Sequence, residues 1–285
     1  MKNRLHFLFV TICLALLFQT GRNVFAQAPR TIEVGPHFGA TAYVGELNVW
    51  RDLGQWDWKH HHQLDYDFGA LARFNYNSRW SFRLDYTFLK INACDPVTAW
   101  RPQAKLNFRS TVHDLALMVE FNFLDYYTGR SGSEISPYIF GGVSGFMFNT
   151  HSLTGNAAVD AENLTQNPTD FYLDENNALQ PAEKKNYNLS IPFGVGCKLS
   201  LTKHLATSLE WRMHYTFTDY LDDVSGLYGD GLVVNNYDYS DPTGNFTAGQ
   251  QRGNSQTNDW FGMINLSLTW KFVIPNASAC KMNIE

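Results

Sequence analysis

In WSFRLDYTF, Trp80 to Phe88, the residues Trp80, Phe82, Leu84, Tyr86 and Phe88 take every second position, and Ser81, Arg83, Asp85 and Thr87 fill the gaps. Successive side chains of a strand point to opposite faces, so this segment meets two different solvents. Its apolar face is aromatic and aliphatic throughout; its polar face carries both signs of charge. The stretch before it obeys the same rule. From His62 to Asn77, Leu64, Tyr66, Phe68, Ala70, Ala72, Phe74 and Tyr76 alternate with a set that holds Asp65, Asp67, Arg73 and Asn75.

Working outward, the pattern recurs until it accounts for eight strands. Thr31 to Glu46 sets Ile32, Val34, Phe38 and Val44 against Glu33, His37, Thr41 and Tyr43. Asp114 to Phe123 opposes Leu115, Leu117, Val119 and Phe121 to Asp114, Met118 and Glu120. Pro137 to Asn149, PYIFGGVSGFMFN, reads as a strand whose glycines leave its faces unassigned. Tyr187 to Leu201 opposes Ile191, Phe193, Val195 and Cys197 to Ser190 and Lys198. Leu205 to Thr218 opposes Leu209, Trp211 and Tyr215 to Glu210, Arg212 and His214, and Asp259 to Phe272 closes the series.

Strands of about 10 residues or more are long for a soluble sheet and match the tilted 9–11 residues that cross a bilayer. A sheet in lipid must close on itself, because an open edge would leave backbone polar groups without partners. The connections supply a second test. Short links near 78–79, 125–135 and 202–204 alternate with long ones near 47–61, 91–108, 150–186 and 219–258. Outer-membrane barrels pair short periplasmic turns with long extracellular loops in the same way. The expected fold is therefore all-β: an eight-stranded antiparallel outer-membrane barrel. A soluble eight-stranded barrel would turn its apolar face inward. The mixed charges of Glu33, Asp65, Asp67, Arg73, Arg83, Asp85, Asp114, Glu120, Lys198, Glu210 and Arg212 suit a paired network in a narrow lumen instead. Eight strands enclose only side chains, whereas an aqueous channel takes about 16. Tyr76, Trp80, Phe123, Trp270 and Phe272 gather at the short-turn ends, as an aromatic girdle should.

Lys2 and Arg4 precede the apolar run LHFLFVTICLALLF, which is shorter than the roughly 20 residues of a helical span and suits a secretory signal. Val24 and Ala26 place a cleavage site before Gln27. Residues 1–26 thus read as a signal peptide and 27–285 as the barrel domain, with the last strand ending near 272 and a tail at 273–285. Net charge is −5, charged residues make up 17% and no basic block appears, which argues against nucleic acid as a partner. Cys94, Cys197 and Cys280 are too few and too scattered for a disulfide framework or a zinc site and read as unpaired thiols, with Cys94 in a long outer loop.

No cofactor or metal is expected. Adjacent His60, His61 and His62 cannot face one ion from a strand. Asp219, Asp222 and Asp223 lack the alternating ligands and central glycine of a calcium loop. Ser208 and His214 share the inner face, but they are well separated along the strand and no nucleophile sits beside a base, so an enzyme is not expected. The acids that follow His214 open the last long loop. They read either as loop stabilisation or as a docking surface made of Asp219, Tyr220, Asp222, Asp223 and Tyr228.

Three stretches carry a family likeness: EVGPHFGATAYVGELN (33–48), PYIFGGVSGFMFN (137–149) and above all SLEWRMHYTFTDYLDDVSGLY (208–228). In these the chain resembles the PorG-type outer-membrane barrels of Bacteroidota, which belong to the type IX secretion system. The resemblance implies a non-enzymatic accessory barrel in outer-membrane lipid that contacts the periplasmic ring, built from a lipoprotein and its partner. It implies no catalytic residues. A stand-alone structural or adhesive barrel is the alternative.

Overall fold

The computed structural model describes residues 30–45, 65–94, 107–126, 134–152, 171–173, 179–181, 186–222, 233–234, 237–238, 247, 249–251 and 257–274. These hold β1 (Thr31–Val44), β2 (Asp65–Asn75), β3 (Trp80–Cys94), β4 (Asn107–Asn122), β5 (Glu134–Ser152), β6 (Phe171–Leu173), β7 (Leu179–Pro181), β8 (Tyr187–Ser200), β9 (Leu205–Thr216), β10 (Val233–Val234), β11 (Tyr237–Asp238) and β12 (Trp260–Val273). Eight strands close into one antiparallel barrel in the order β1-β12-β9-β8-β5-β4-β3-β2. The pairs β6–β7 and β10–β11 are small separate hairpins within two of the long connections.

Closure is between the first and last strands, Thr31 pairing with Val273 and Val44 with Trp260. Every other neighbour in the barrel is also its neighbour in sequence, so the sheet is a simple meander. At the short-turn end the chain reverses tightly. The side chain of Asn77 accepts from the backbone N–H of Arg79 and of Trp80, at 2.8 and 2.7 Å. Thr202 does the same for His204 and Leu205. Such side-chain acceptors stand in for the ladder where the strands end.

Register settles the faces that glycine obscured in β5. Ser136, Tyr138, Phe140, Ser144, Phe146 and Phe148 point inward, whereas Ile135, Ile139, Val143 and Met147 are exposed. Tyr138 pairs with Gly196 and Phe140 with Gly194. A Cβ at either glycine would stand 2.6 Å from the facing ring, so β8 gives up side chains where β5 inserts aromatics. The glycines and the rings are one packing solution.

Three strands are longer than alternation implied. β3 was expected to end at Phe88 and runs to Cys94; β4 was expected from Asp114 and starts at Asn107; β5 extends to Ser152. Cys94 is therefore the last residue of a strand, not part of a loop. β3 and β4 stay paired up to Cys94 and Asn107, although β2 pairs with β3 only as far as Asp67 and Leu89. β5 likewise outruns β8, whose first pair is Met147 with Tyr187. The three strands rise above their neighbours as a flange at the long-loop end.

Candidate functional site

Inside the short-turn half of the barrel, the arginines are surrounded mainly by carboxylates and rings. Arg212 from β9 meets Asp85 of β3 with two N–H groups, at 3.2 and 3.0 Å, and also pairs with Glu210. Arg83 reaches Glu210 at 2.6 Å and Glu120 at 3.1 Å. Arg73 holds Glu33 and Glu120, each at 2.8 Å. Lys198 pairs with Glu120, and His37 lies 3.2 Å from Asp85 and 3.6 Å from Asp67. Three carboxylates thus bridge the cluster: Glu120 between Arg73, Arg83 and Lys198, Glu210 between Arg83 and Arg212, and Asp85 between Arg212, Arg83 and His37. The inserted rings complete it: Arg83 lies 4.8 Å from the Phe140 centroid, and the Tyr138 hydroxyl donates to Glu210 at 2.8 Å.

Arg73, Arg83, Arg212 and Lys198 are at most 1% exposed. Removing a single buried charge from water costs several kcal/mol, and such a cluster is sustained only by multiple, well-formed pairs. The network therefore occupies the lumen with side chains closed to water. At the short-turn end Tyr126, from the segment after β4, seals it from beneath. Its ring lies 5.5 Å from Lys198 Nζ and 5.8 Å from Lys271 Nζ, and burial pushes its hydroxyl pKa well above the ordinary phenol value.

Towards the long-loop end the lumen changes character. Tyr43, Leu89, Ile91, Ala93, Phe108, Val112, Phe146, Phe148, Phe261 and Met263 form a buried apolar core inside the barrel mouth. Leu221, from the chain that leaves β9, completes this core and is fully buried. Its backbone N–H donates to Asp259 Oδ2 at 2.9 Å, and its carbonyl accepts from Thr150 at 3.0 Å. The Tyr43 hydroxyl lies 2.7 Å from Asp222 Oδ2 and 2.5 Å from Asp259 Oδ1. Of the acids that follow β9, Asp222 is held by Tyr43 beside a leucine stopper whose own backbone groups are satisfied by Asp259 and Thr150, so the polar groups carried into the mouth with it are partnered. Asp222 is buried and Asp219 only 8% exposed, which removes both from any outward docking surface. Tyr220 is exposed at 40%; Asp223 and Tyr228 lie outside the described residues.

Of the expected lumen charges, Glu33, Arg73, Arg83, Asp85, Glu120, Lys198, Glu210 and Arg212 come together with Asp67 in the network just described. Asp114 stands apart, 3.9 Å from His214. Asp65 is half-exposed at the rim, where it accepts from Asn92 at 2.5 Å. His214 bonds Ser190 at 3.0 Å and stacks on Phe261, while Ser208 bonds Ser267 at 2.6 Å. Ser208 and His214 thus have separate partners. The sequence reading missed Tyr138, Phe140 and Tyr126. Pairing of glycine in one strand with aromatics in its neighbour was the available signal. The stretch expected to be a signal peptide, the three adjacent histidines and Cys280 lie outside the described residues; Cys197 is exposed on the outer wall and free.

The outer wall is the reverse of the lower lumen. Phe38, Phe68, Phe82, Leu84, Leu117, Val143, Leu189, Trp211, Ile264 and Leu268 are all more than 40% exposed around the circumference. A belt of that size in water would drive aggregation; in lipid it is the expected surface. Apolar wall, ionic lumen and a closed sheet without edges define a membrane-spanning β-barrel with the fold of outer-membrane proteins. The chain belongs to the family described as "Domain of unknown function (DUF6089)", whose model matches residues 7–167, more than half of its length. No curated protein matches. Among solved structures it is similar to Neisserial surface protein A (10% identity, 85% of this chain and 97% of that chain, TM-score 0.41). It is also similar to the outer membrane protein OprG of Pseudomonas aeruginosa (10%, 87% and 98%, 0.39) and to the N-terminal β-barrel domain of OprF from the same organism (10%, 86% and 100%, 0.38).

Proposed function

We propose that the protein is a non-enzymatic accessory barrel of the type IX secretion machinery, held in the outer membrane and contacting the periplasmic ring through its short-turn side. The observation that carries the non-transport part of this reading is the doubly filled lumen. With an ionic plug below and an apolar stopper above, the barrel acts through its rims and loops rather than through a passage. The secretion assignment itself is supported by the sequence resemblance, most specifically by TDYLDDVSGLY at 218–228. Deleting the gene should abolish export of type IX cargo, and the protein should copurify with the ring lipoprotein and its partner from detergent-solubilised membranes. Normal export in the deletion strain removes the assignment.

The same filled lumen supports a second reading, a stand-alone structural or adhesive barrel whose long loops carry the activity. Trimming residues 150–186 should then alter surface binding while secretion continues. Unchanged surface behaviour after that deletion removes this version.

A further inference from the structure

The outward faces of β3 and β4 record where the hydrocarbon ends. On β3 the outward series is Trp80, Phe82, Leu84, Tyr86 and Phe88, then Lys90 and Asn92; on β4 it is Phe121, Val119, Leu117 and Leu115, then His113, Thr111 and Arg109. The inward faces change at the same level in the opposite sense. Asp85 and Thr87 give way to Leu89 and Ile91, and Asp114 gives way to Val112 and Phe108, with Ser110 between them the one inward polar residue of that stretch. Two strands switching both faces together mark the lipid–water boundary at Phe88 and His113, because each face must match the solvent it meets.

Directly above that line stand Lys90, Arg109 and His113. Phe88 pairs with His113, Lys90 with Thr111 and Asn92 with Arg109. Lys90 is thus the diagonal neighbour of both other residues on one outward face, at the roughly 7–8 Å typical of such positions. Among the described residues, every other lysine or arginine is either in the lumen or at the short-turn end: Arg73, Arg83, Lys198, Arg212 and Lys271 inside, Arg30, Arg79 and Lys203 at the turns. Aromatic rings hold the patch in place. Lys90 Nζ lies 5.2 Å from the centroid of Tyr66, and the Tyr86 hydroxyl lies 2.8 Å from His113 Nδ1. In the tautomer where that hydroxyl donates to Nδ1, the ring proton sits on Nε2 and can donate to an oxyanion. Asp65, a carboxylate at the same rim, is engaged by Asn92.

We infer that Lys90, Arg109 and His113 form a recognition patch for the phosphate groups of a phosphorylated glycolipid in the long-loop leaflet. Acyl chains would lie against Leu84, Tyr86, Leu115 and Leu117 just below, so one ligand meets both the apolar wall and the cations at its upper edge. Cations at a membrane surface favour anionic headgroups by an amount that sums over the patch. The inference rests only on the barrel's place in an outer membrane, not on a secretion role.

The test uses the full chain folded into nanodiscs of zwitterionic phospholipid and titrated with bisphosphorylated lipid A, with lipid A stripped of its phosphates, and with inorganic phosphate. Wild type should bind the phosphorylated lipid at least about tenfold more tightly than the stripped one. The triple variant Lys90→Gln, Arg109→Gln, His113→Gln should lose that preference while keeping heat-modifiable migration. Thr111→Arg, which adds a cation beside Lys90, should strengthen it. Equal binding of the two lipids, or a preference unchanged in both variants, overturns the proposal. So does full competition by inorganic phosphate at millimolar concentration, which would mean a small-anion site.

Discussion

Below the level of Phe88 and His113 the strands carry leucine and phenylalanine outside and arginine and glutamate inside; above it Lys90, Thr111 and Arg109 face out and Leu89, Ile91, Phe108 and Phe148 face in. The backbone does not change across this line. β3 and β4 continue in register through it, from Trp80 with Phe121 to Cys94 with Asn107. What changes is the medium outside. A barrel wall in hydrocarbon turns its apolar side chains outward and must fill its lumen with self-satisfied polar groups. The same wall in water gains from turning its apolar side chains inward. One continuous sheet is thus built under two rules, and its lumen holds two cores of opposite chemistry.

The comparison can be broken most severely in the lower core. Arg212→Met leaves Asp85 without its main cation, and Glu210 with only one of its two, in a site closed to water. It should destabilise the barrel by roughly 3–5 kcal/mol, read as a lowered urea midpoint of the heat-modifiable form in lipid vesicles. A loss of less than about 1 kcal/mol would mean that the lumen is wet and the plug is not one. In the upper core, Phe108 packs edge-on against Tyr43 with ring centroids 4.9 Å apart. Phe108→Ala should cost about 3–4 kcal/mol by the same measurement, an effect expected only if this end is a packed apolar interior.

The boundary itself is probed by one substitution on either side of it. Leu117→Arg, in the middle of the exposed belt, should cost about 2–4 kcal/mol, whereas Thr111→Arg, on the same face of β4 above the line, should cost about 0–1 kcal/mol. Equal penalties would place the water level elsewhere. The stopper offers the smallest effect among the substitutions that remove a native contact. Tyr43→Phe removes the hydroxyl between Asp222 and Asp259 and should cost about 1–2 kcal/mol, with faster amide exchange confined to residues 216–222. Exchange that rises throughout the barrel instead would show that the stopper supports the whole fold.

Much of the lower half was legible because there alternation and solvent agree. Period two, charged on one side and apolar on the other, assigns every face of β2 and of β3 up to Phe88, and nearly all the lumen charges named from it converge. The strand ends at the top were not legible for a physical reason. Leu89, Ile91 and Ala93 keep the same geometry as Arg83 and Asp85 but answer to a different solvent, so the pattern dissolves where the strand does not. The acids after β9 were open to two readings, stabilisation or docking, because a sequence does not say whether a loop turns outward or folds back. The structure turns Leu221 and Asp222 into the mouth, where an apolar core is waiting to be closed.

By itself the chain determined the number of barrel strands, their faces within the membrane in every strand but β5, and the ionic composition of the lumen, since each follows from local periodicity against a uniform medium. Only the tertiary structure decided which carboxylate each arginine meets, that glycines of β8 make room for the rings of β5, and that a leucine stoppers the barrel. Those outcomes depend on register between strands far apart in sequence, and register is a property of the closed sheet rather than of any one strand.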